Sequence, residues 1–427
     1  MTSSYPLKPI RQVVERTALW SPIEDSEEHI RYIDVSAVSS EDLRIINSAS
    51  HTPRTAPSRA RKIVRANDTV FATIRPGLKR VAKVTQQFDG AVVSTAFCVL
   101  RPIPEEVDPD FLFFVVSSDS FVLEVADLQT GASYPAVRDK DVLDHEIPFP
   151  SLLEQRGIAT VLRAVRASLS REIEMLKHTS ALKQAAMRKL FTCGLHREAQ
   201  ELTNIGPVPA SWGLGRLGDQ ADVISKGASP KWQGFDYVDS GVLFVRSQNV
   251  GNGRMEWSEK TFLPLIWNEK EKRSVLCVGD VLINLVGASI GRVAVGGAEI
   301  GQANCNQAVC FVRLRRDRML PHFLAYFLLT EAGQMQMHSS KKDIARANLS
   351  LEDVRNFIVP LPPLDEQRDI AAIIAAIDHK IDFHTRKQTL LKGLFKSLLD
   401  KLMTGEIRVS DVDLAALEQS TADRVSA

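Results

Sequence analysis

Pro360-Leu361-Pro362-Pro363-Leu364-Asp365-Glu366-Gln367-Arg368 restates Pro148-Phe149-Pro150-Ser151-Leu152-Leu153-Glu154-Gln155-Arg156, and the offset of 212 positions holds far beyond the motif. Downstream it pairs Ile158 with Ile370, Ala159 with Ala371 and Leu182 with Leu394. Upstream it lays Arg80-Val81-Ala82 over Arg292-Val293-Ala294, Cys98 over Cys310, Arg101 over Arg313, Phe111-Leu112 over Phe323-Leu324 and Asp141-Val142 over Asp353-Val354. Solenoid units run to roughly 20–50 residues, so a repeat this long reads as two copies of a complete domain with their joints. An approximate two-fold axis is expected to relate the copies.

Each proline-rich motif opens a segment of different character, at about 151 to 192 and 363 to 404, free of internal proline. Positions spaced by seven read Leu162, Leu169, Leu176, Lys183, Leu190 in the first and Ile374, Ile381, Gln388, Phe395, Leu402 in the second. Apolar rows at heptad spacing define a seam that packs along another helix. The spacing therefore predicts two helices of about 42 residues, roughly 60 Å long at 1.5 Å per residue, each too long to hide its stripe inside one domain. The other copy is the natural partner, and a two-fold axis crossing the pair makes them antiparallel. Polar seam positions Glu172, Thr179, Lys183, His384 and Gln388 either fix register or mark a tolerated kink. The prolines stiffen the approach to each helix, and the glutamate of Glu-Gln-Arg suits the positive end of the helix dipole. The expected shape is a rod with a globule at each end.

The remaining segments alternate short β-rich runs with turns and one helical patch. Ile30 to Val35, Thr69 to Ile74 and Ala91 to Leu100 precede a helical stretch from Asp110 to Ala126; Leu243 to Arg246, Asp280 to Val286 and Ala308 to Leu314 precede Pro321 to Thr330. Runs of Val, Ile and Phe separated by Gly, Pro and Asn clusters indicate an α+β globule. The expected division is a first domain at 1–150, a helix at 151–195, a second domain at 205–362, a helix at 363–405 and a tail at 406–427.

At 427 residues the chain has room for two to three cores. Its 44% apolar and 25% charged content is ordinary, so composition selects no function. Five scattered cysteines form no disulfide framework, which with the absence of a leader or membrane-length apolar stretch points to the cytoplasm. Net charge is +1, with local basic runs at Arg54, Arg59, Arg61, Lys62, Arg65 and at Arg313, Arg315, Arg316, Arg318. No P-loop and no Asn-Pro-Pro-aromatic tetrapeptide occurs, so the chain is read as non-catalytic.

The motif Pro360 to Arg368, followed by Ile370-Ala371-Ala372-Ile373-Ile374 and closed by Leu394-Phe395-Lys396-Ser397-Leu398-Leu399 and Leu402-Met403-Thr404-Gly405-Glu406, resembles the second spacer helix of type I restriction-modification specificity subunits. Gly241-Val242-Leu243-Phe244-Val245-Arg246-Ser247-Gln248-Asn249-Val250, Asp280-Val281-Leu282-Ile283 and Gly287-Ala288-Ser289-Ile290-Gly291-Arg292 are similar to that family's target recognition domain, as is Thr73-Ile74-Arg75-Pro76 in the first half. The resemblance implies two tandem α/β target recognition domains separated by two antiparallel coiled-coil helices. It implies that each domain reads one half of an asymmetric bipartite DNA target, with the helices setting the spacing and docking two methyltransferase subunits, and with motor-nuclease subunits completing a phage-defence complex. S-adenosylmethionine, ATP and Mg would then be bound by those partners and no cofactor or metal by this chain.

Half-site spacing on B-DNA is a geometric constraint, and base discrimination calls for amide and guanidinium side chains. Candidates in the second domain are Lys226, Ser229, Lys231, Gln233, Arg246, Ser247, Gln248, Asn249, Arg292, Asn304, Asn306, Gln307, Lys341 and Lys342. Those in the first are Arg54, Arg59, Arg61, Lys62, Arg75, Lys79, Arg80, Tyr134 and Arg138, mostly for phosphate. Arg80 and Arg292 are open between phosphate contact and an internal ion pair. The low net charge fits partners that share the phosphate attraction. The competing readings are a coiled-coil scaffold without DNA affinity and a specificity-like subunit of another phage-defence complex.

Overall fold

A computed structural model of the chain describes residues 4–22, 29–131, 135–339 and 348–412. The chain divides into two compact units, Met1–Glu174 with Thr385–Ala427, and Met175–His384. In the first unit the strands Val14–Glu15, Phe97–Pro102, Thr69–Ala72 and Val81–Lys83 form one sheet in that order, and Ala49–His51, Ile30–Ile33, Val92–Ser94 and Ala60–Ile63 another. In the second unit Ala221–Lys226, Val309–Leu314, Val281–Asn284 and Val293–Val295 form the matching sheet, and Phe262–Leu263, Val242–Val245 and Asn304–Cys305 its companion. The 212-position offset carries Thr69–Ala72 onto Val281–Asn284, Val81–Lys83 onto Val293–Val295 and Phe97–Pro102 onto Val309–Leu314 with no slip. The repeat in sequence is thus a repeat in architecture, and the fold is α+β.

Two expected elements are broken, for local reasons. The helical patch from Asp110 to Ala126 is two helices, Pro109–Val116 and Asp119–Ala126. Ser118 interrupts it by capping the second helix, its hydroxyl accepting from the Phe121 amide, as a short polar side chain does at an N-cap. The run Ala91 to Leu100 is two strands because the chain changes sheets at Thr95, whose amide donates to the Arg59 carbonyl at 2.8 Å.

The long helices are Leu152–Cys193 and Leu364–Thr404. In the first unit Ile158, Ala159, Val161 and Leu162 share a core with Leu399, Leu402 and Met403, while Glu172 pairs with Lys387 at 2.5 Å. In the second, Met187 and Phe191 share a core with Ile370, Ala371 and Ile374, while Lys183 pairs with Asp378 at 2.6 Å. Early residues of one helix meet late residues of the other in each unit, so the packing is antiparallel. Of the expected seam, Leu162, Ile374 and Leu402 are fully buried and Leu169, Leu176, Leu190, Ile381 and Phe395 partly so; burying such a side chain completely contributes roughly 1.5–3 kcal/mol. Glu172, Thr179 and His384 are buried polar seam residues. Among the described residues no helix is long and apolar enough to cross a membrane.

The Glu-Gln pair of each motif does more than favour a helix dipole. Gln155 is fully buried; its carbonyl accepts from the Asp108 amide at 2.9 Å and its amide donates to the Pro150 carbonyl at 3.0 Å. Gln367 repeats this with the Leu320 amide at 2.9 Å and the Pro362 and Arg318 carbonyls at 2.9 and 3.0 Å. Each glutamine therefore ties helix start to a loop of its own unit. Glu154 accepts from Tyr5 Oη and the Val409 amide, both at 3.1 Å, and Glu366 from Trp212 Nε1 and the Leu195 amide, both at 3.0 Å. Each carboxylate thereby ties the start of one long helix to the segment that follows the other.

Candidate nucleic-acid interface

Strand register decides which candidates share a surface. In the first unit Ala72 lies opposite Phe97, Val81 opposite Phe71, Ile33 beside Val93 and Ser94 opposite Ala60. These pairings gather the ends of both sheets along one edge, so Asp34, Arg59, Thr95, the turn Thr73 to Arg80 and Val137 adjoin one another. In the second unit Asn284 lies opposite Val309, Ile283 opposite Val293, Lys226 opposite Cys310 and Val245 beside Cys305. The same edge there gathers Lys226, Arg246 to Asn249, Asn306-Gln307 and the turn Val286 to Arg292.

Side-chain surroundings divide the second unit's candidates. Asn304 is fully buried, with Nδ2 donating to Asn268 Oδ1 at 2.9 Å and Oδ1 accepting from Ser274 Oγ at 2.8 Å. Asn249 is buried too, its amide spent on the Glu256 and Glu259 carbonyls, each at 3.0 Å, and its carbonyl on the Arg246 amide. Both were expected to read bases and both are corrected: their hydrogen-bonding groups hold the loops behind the edge, and buried polar groups are retained when so satisfied. Asn306 accepts from the Ala308 amide at 2.9 Å and shapes its turn, and Gln233 is drawn to Glu271 at 2.6 Å. Ser229 and Ser247 are half-buried, while Lys226, Lys231, Arg292 and Gln307 are exposed. Arg246 and Gln248 both reach Glu259, at 3.4 and 3.2 Å; the acid is 71% exposed, so the tether is worth under about 1 kcal/mol.

In the first unit Lys62 is corrected most clearly. Its stem is buried and its ammonium donates to the Phe97 carbonyl at 2.6 Å and to Asp139, which makes it a strut inside the domain. Among the described residues Arg80 makes no ion pair; its guanidinium donates to the Val35 and Val38 carbonyls at 3.0 and 2.9 Å. Arg61 donates to the neighbouring Ala60 carbonyl, Arg59 faces Asp34 at 3.8 Å and Lys79 faces Asp119 at 2.6 Å. The hydrogen bond from Lys79 holds the Asp119 carboxyl below its usual range. Arg138 is turned back on Asp141 at 2.6 Å, and that contact likewise depresses the Asp141 carboxyl. Arg54 and Arg75 are exposed. Tyr134, Lys341 and Lys342 lie outside the described residues.

Two ion pairs, each built on a buried aspartate, repeat behind the edge. Arg101 grips Asp68 through Nε at 3.0 Å and Nη2 at 2.8 Å, and Arg313 grips Asp280 at 2.9 and 2.8 Å. Arg313, part of an apparent basic run, is thus half-buried and engaged by its own unit. Cys98 and Cys310 are core residues whose thiols burial pushes up to about 12. One exposed side chain escaped the sequence reading: Trp232, 91% accessible between Lys231 and Gln233, whose only signal was an aromatic inside a polar loop.

This arrangement has close counterparts. A sequence profile described as Type I restriction modification DNA specificity domain matches residues 209–392. The MjaVIII type I restriction enzyme specificity subunit of Methanocaldococcus jannaschii is 25% identical over 333 residues, 75% of this chain and 76% of the relative. The EcoBI specificity subunit of Escherichia coli is 25% identical over 299 residues, 65% of this chain and 63% of the relative. A chain from a structure titled for complex assembly and conformational transition of the type I R-M system is 28% identical with a TM-score of 0.60, covering 94% of this chain and 98% of its own. Over most of its length the chain is similar to the specificity subunits of type I restriction-modification systems. The S subunit from M. genitalium, 15% identical with a TM-score of 0.60 over 94% of this chain and 96% of its own, has the same fold.

The long helices also carry apolar side chains that their seam leaves uncovered. Leu153 and Leu390 are 83% and 73% exposed in the first unit, and Leu182 and Phe383 are 56% and 53% exposed in the second.

Proposed function

We propose that each unit reads one half of an asymmetric, bipartite double-stranded DNA target, with the paired helices setting the distance between halves and docking two methyltransferase subunits. The observation that carries this reading is the contrast between framework and edge. Strands, ion pairs and helix joints repeat at a constant offset, while the groups at the strand edge differ: Thr95 against Gln307, Ser36 against Gln248, Asp34 against Arg246. A shared scaffold with divergent amide and guanidinium groups is what two different half-sequences require. The exposed apolar residues of the helices support docking. Methyl transfer and DNA cleavage fall to partner subunits, which would bind S-adenosylmethionine, ATP and Mg.

Co-expression with a cognate methyltransferase, followed by mapping of methylated bases, tests the reading. The expected result is a two-part motif with unlike halves and a fixed gap, and replacing residues 205–362 by a relative's segment should change one half alone. A palindromic motif, or a change in both halves, would overturn it. Self-assembly without any methylated motif would favour a scaffold instead.

A further inference from the structure

The hairpin turn of the second unit runs from Asn284 to Val293 and places two residues in the left-handed region, Gly287 at φ 67° and Gly291 at φ 95°. The corresponding turn of the first unit keeps that backbone but fills both positions with cations, Arg75 at φ 49° and Lys79 at φ 53°. A Cβ makes this conformation unfavourable, which is why glycine is its usual occupant. Lys79 recovers stability through Asp119. Arg75 has no such return: it is exposed, and among the described residues its guanidinium meets no hydrogen-bond or ion-pair partner.

A second exchange accompanies the first. Arg80 and Arg292 occupy the same place in the repeat, yet Arg80 is turned inward onto the Val35 and Val38 carbonyls while Arg292 is exposed and without a partner among the described residues. Among the described residues each turn therefore presents one unengaged guanidinium, Arg292 in the second unit and Arg75 in the first. A group that reads bases belongs where two domains with different half-sites differ. A group that both supply, by different routes, belongs to what both half-sites share, and that is the sugar-phosphate backbone.

We propose that Arg75 and Arg292 are equivalent phosphate-binding residues, one for each half of the target, the first unit having moved its cation from the position of Arg80 to that of Arg75. The assignment rests on the DNA-reading function proposed above and concerns affinity and register, not sequence preference. Left-handed Arg75 holds its guanidinium clear of the turn, and Arg80 secures the loop Val35 to Val38 beneath it.

The complex with methyltransferase, carrying Arg75→Gly, Arg292→Ala or both, tests this by target binding across a salt series together with the methylated motif. Arg75→Gly supplies the residue that the other turn uses, so the backbone is relieved and misfolding is not at issue. Each single variant is expected to bind about eight-fold more weakly at 0.1 M salt, with a salt slope shallower by about 0.9, one released counterion. The pair should lose the product of both, and the motif should not change. Arg75→Lys should retain the slope. A motif altered at a base position, or unchanged affinity and slope, would overturn the assignment. If the unaltered complex methylates no bipartite motif, the DNA-reading function itself fails and this assignment with it; a normal motif with insensitive variants removes the phosphate role alone.

Discussion

Gln155 and Gln367 show how much a single buried amide can organise. Gln367 has zero exposure and joins Leu320, Arg318 and Pro362, residues on the near side of the second long helix, through its three bonds. Removing it leaves one buried and two part-buried backbone groups seeking partners, a fully buried one costing about 1–3 kcal/mol when unsatisfied and the others less. Gln367→Ala is therefore expected to destabilise the second unit by about 3 kcal/mol, measurable by denaturant unfolding with hydrogen exchange to localise the loss. Gln367→Glu, which keeps one acceptor but adds a buried charge, should be no better. Arg101→Met makes a sharper case: Asp68 is 1% exposed and would be stranded as an unpaired charge, at a cost of about 3–5 kcal/mol. A loss below 1 kcal/mol would mean that the pair is not the anchor its geometry indicates. These residues also explain why the sequence misled about the edge. Asn304 and Asn249 have the chemistry of base readers, but amides that close loops and amides that read DNA are the same residue type, and burial alone separates them. Lys62 was hidden for the same reason, inside a run of exposed arginines.

At the scale of elements, the long helices were legible because periodicity is a physical requirement of their seam: Leu162, Ile374 and Leu402 must recur to stay buried. The strands were legible as β-branched runs, though not the sheet switch at Thr95, which depends on a partner carbonyl 36 positions away. What fills equivalent seam positions differs between the units. Asp378 accepts from Lys183 at 2.6 Å and from Tyr326 Oη at 3.0 Å, and burial together with that carboxylate pushes the Tyr326 phenol up. The matching positions of the first unit are Arg166, Phe395 and Phe114, where the two phenyl rings meet edge to face with centroids 5.9 Å apart. One seam is closed by a polar triad and the other by aromatic packing. Asp378→Asn should accordingly weaken the second unit by about 1–2 kcal/mol, a partly exposed version of a broken buried pair, and leave the first unit's unfolding unchanged. Equal loss in both units would contradict this division. The candidate site was less legible than the helices at the amino-terminal strand. Ala221–Lys226 runs the full length of its neighbour and brings Lys226 to the edge, whereas Val14–Glu15 pairs only with Arg101 and Pro102.

Across the whole molecule, the second unit is one unbroken stretch of chain and the first is not. Its core joins Ile158 and Leu162 to Leu399 and Leu402, and Phe114 to Phe395. Contacts spanning so much sequence are slow to form, and synthesis at about 5–20 residues per second imposes an order of its own. The half made first on the ribosome must wait for the last helix, while the half made later can close before it. Nascent chains halted beyond residue 384 by enough to clear the exit tunnel, yet short of Leu399 emerging, should protect Val281 and Phe323 from exchange and leave Phe111 and Phe114 accessible. Until the carboxy-terminal helix arrives, the earlier half exposes an unfinished apolar face, and a truncation late in the gene would damage the beginning of the protein more than its middle.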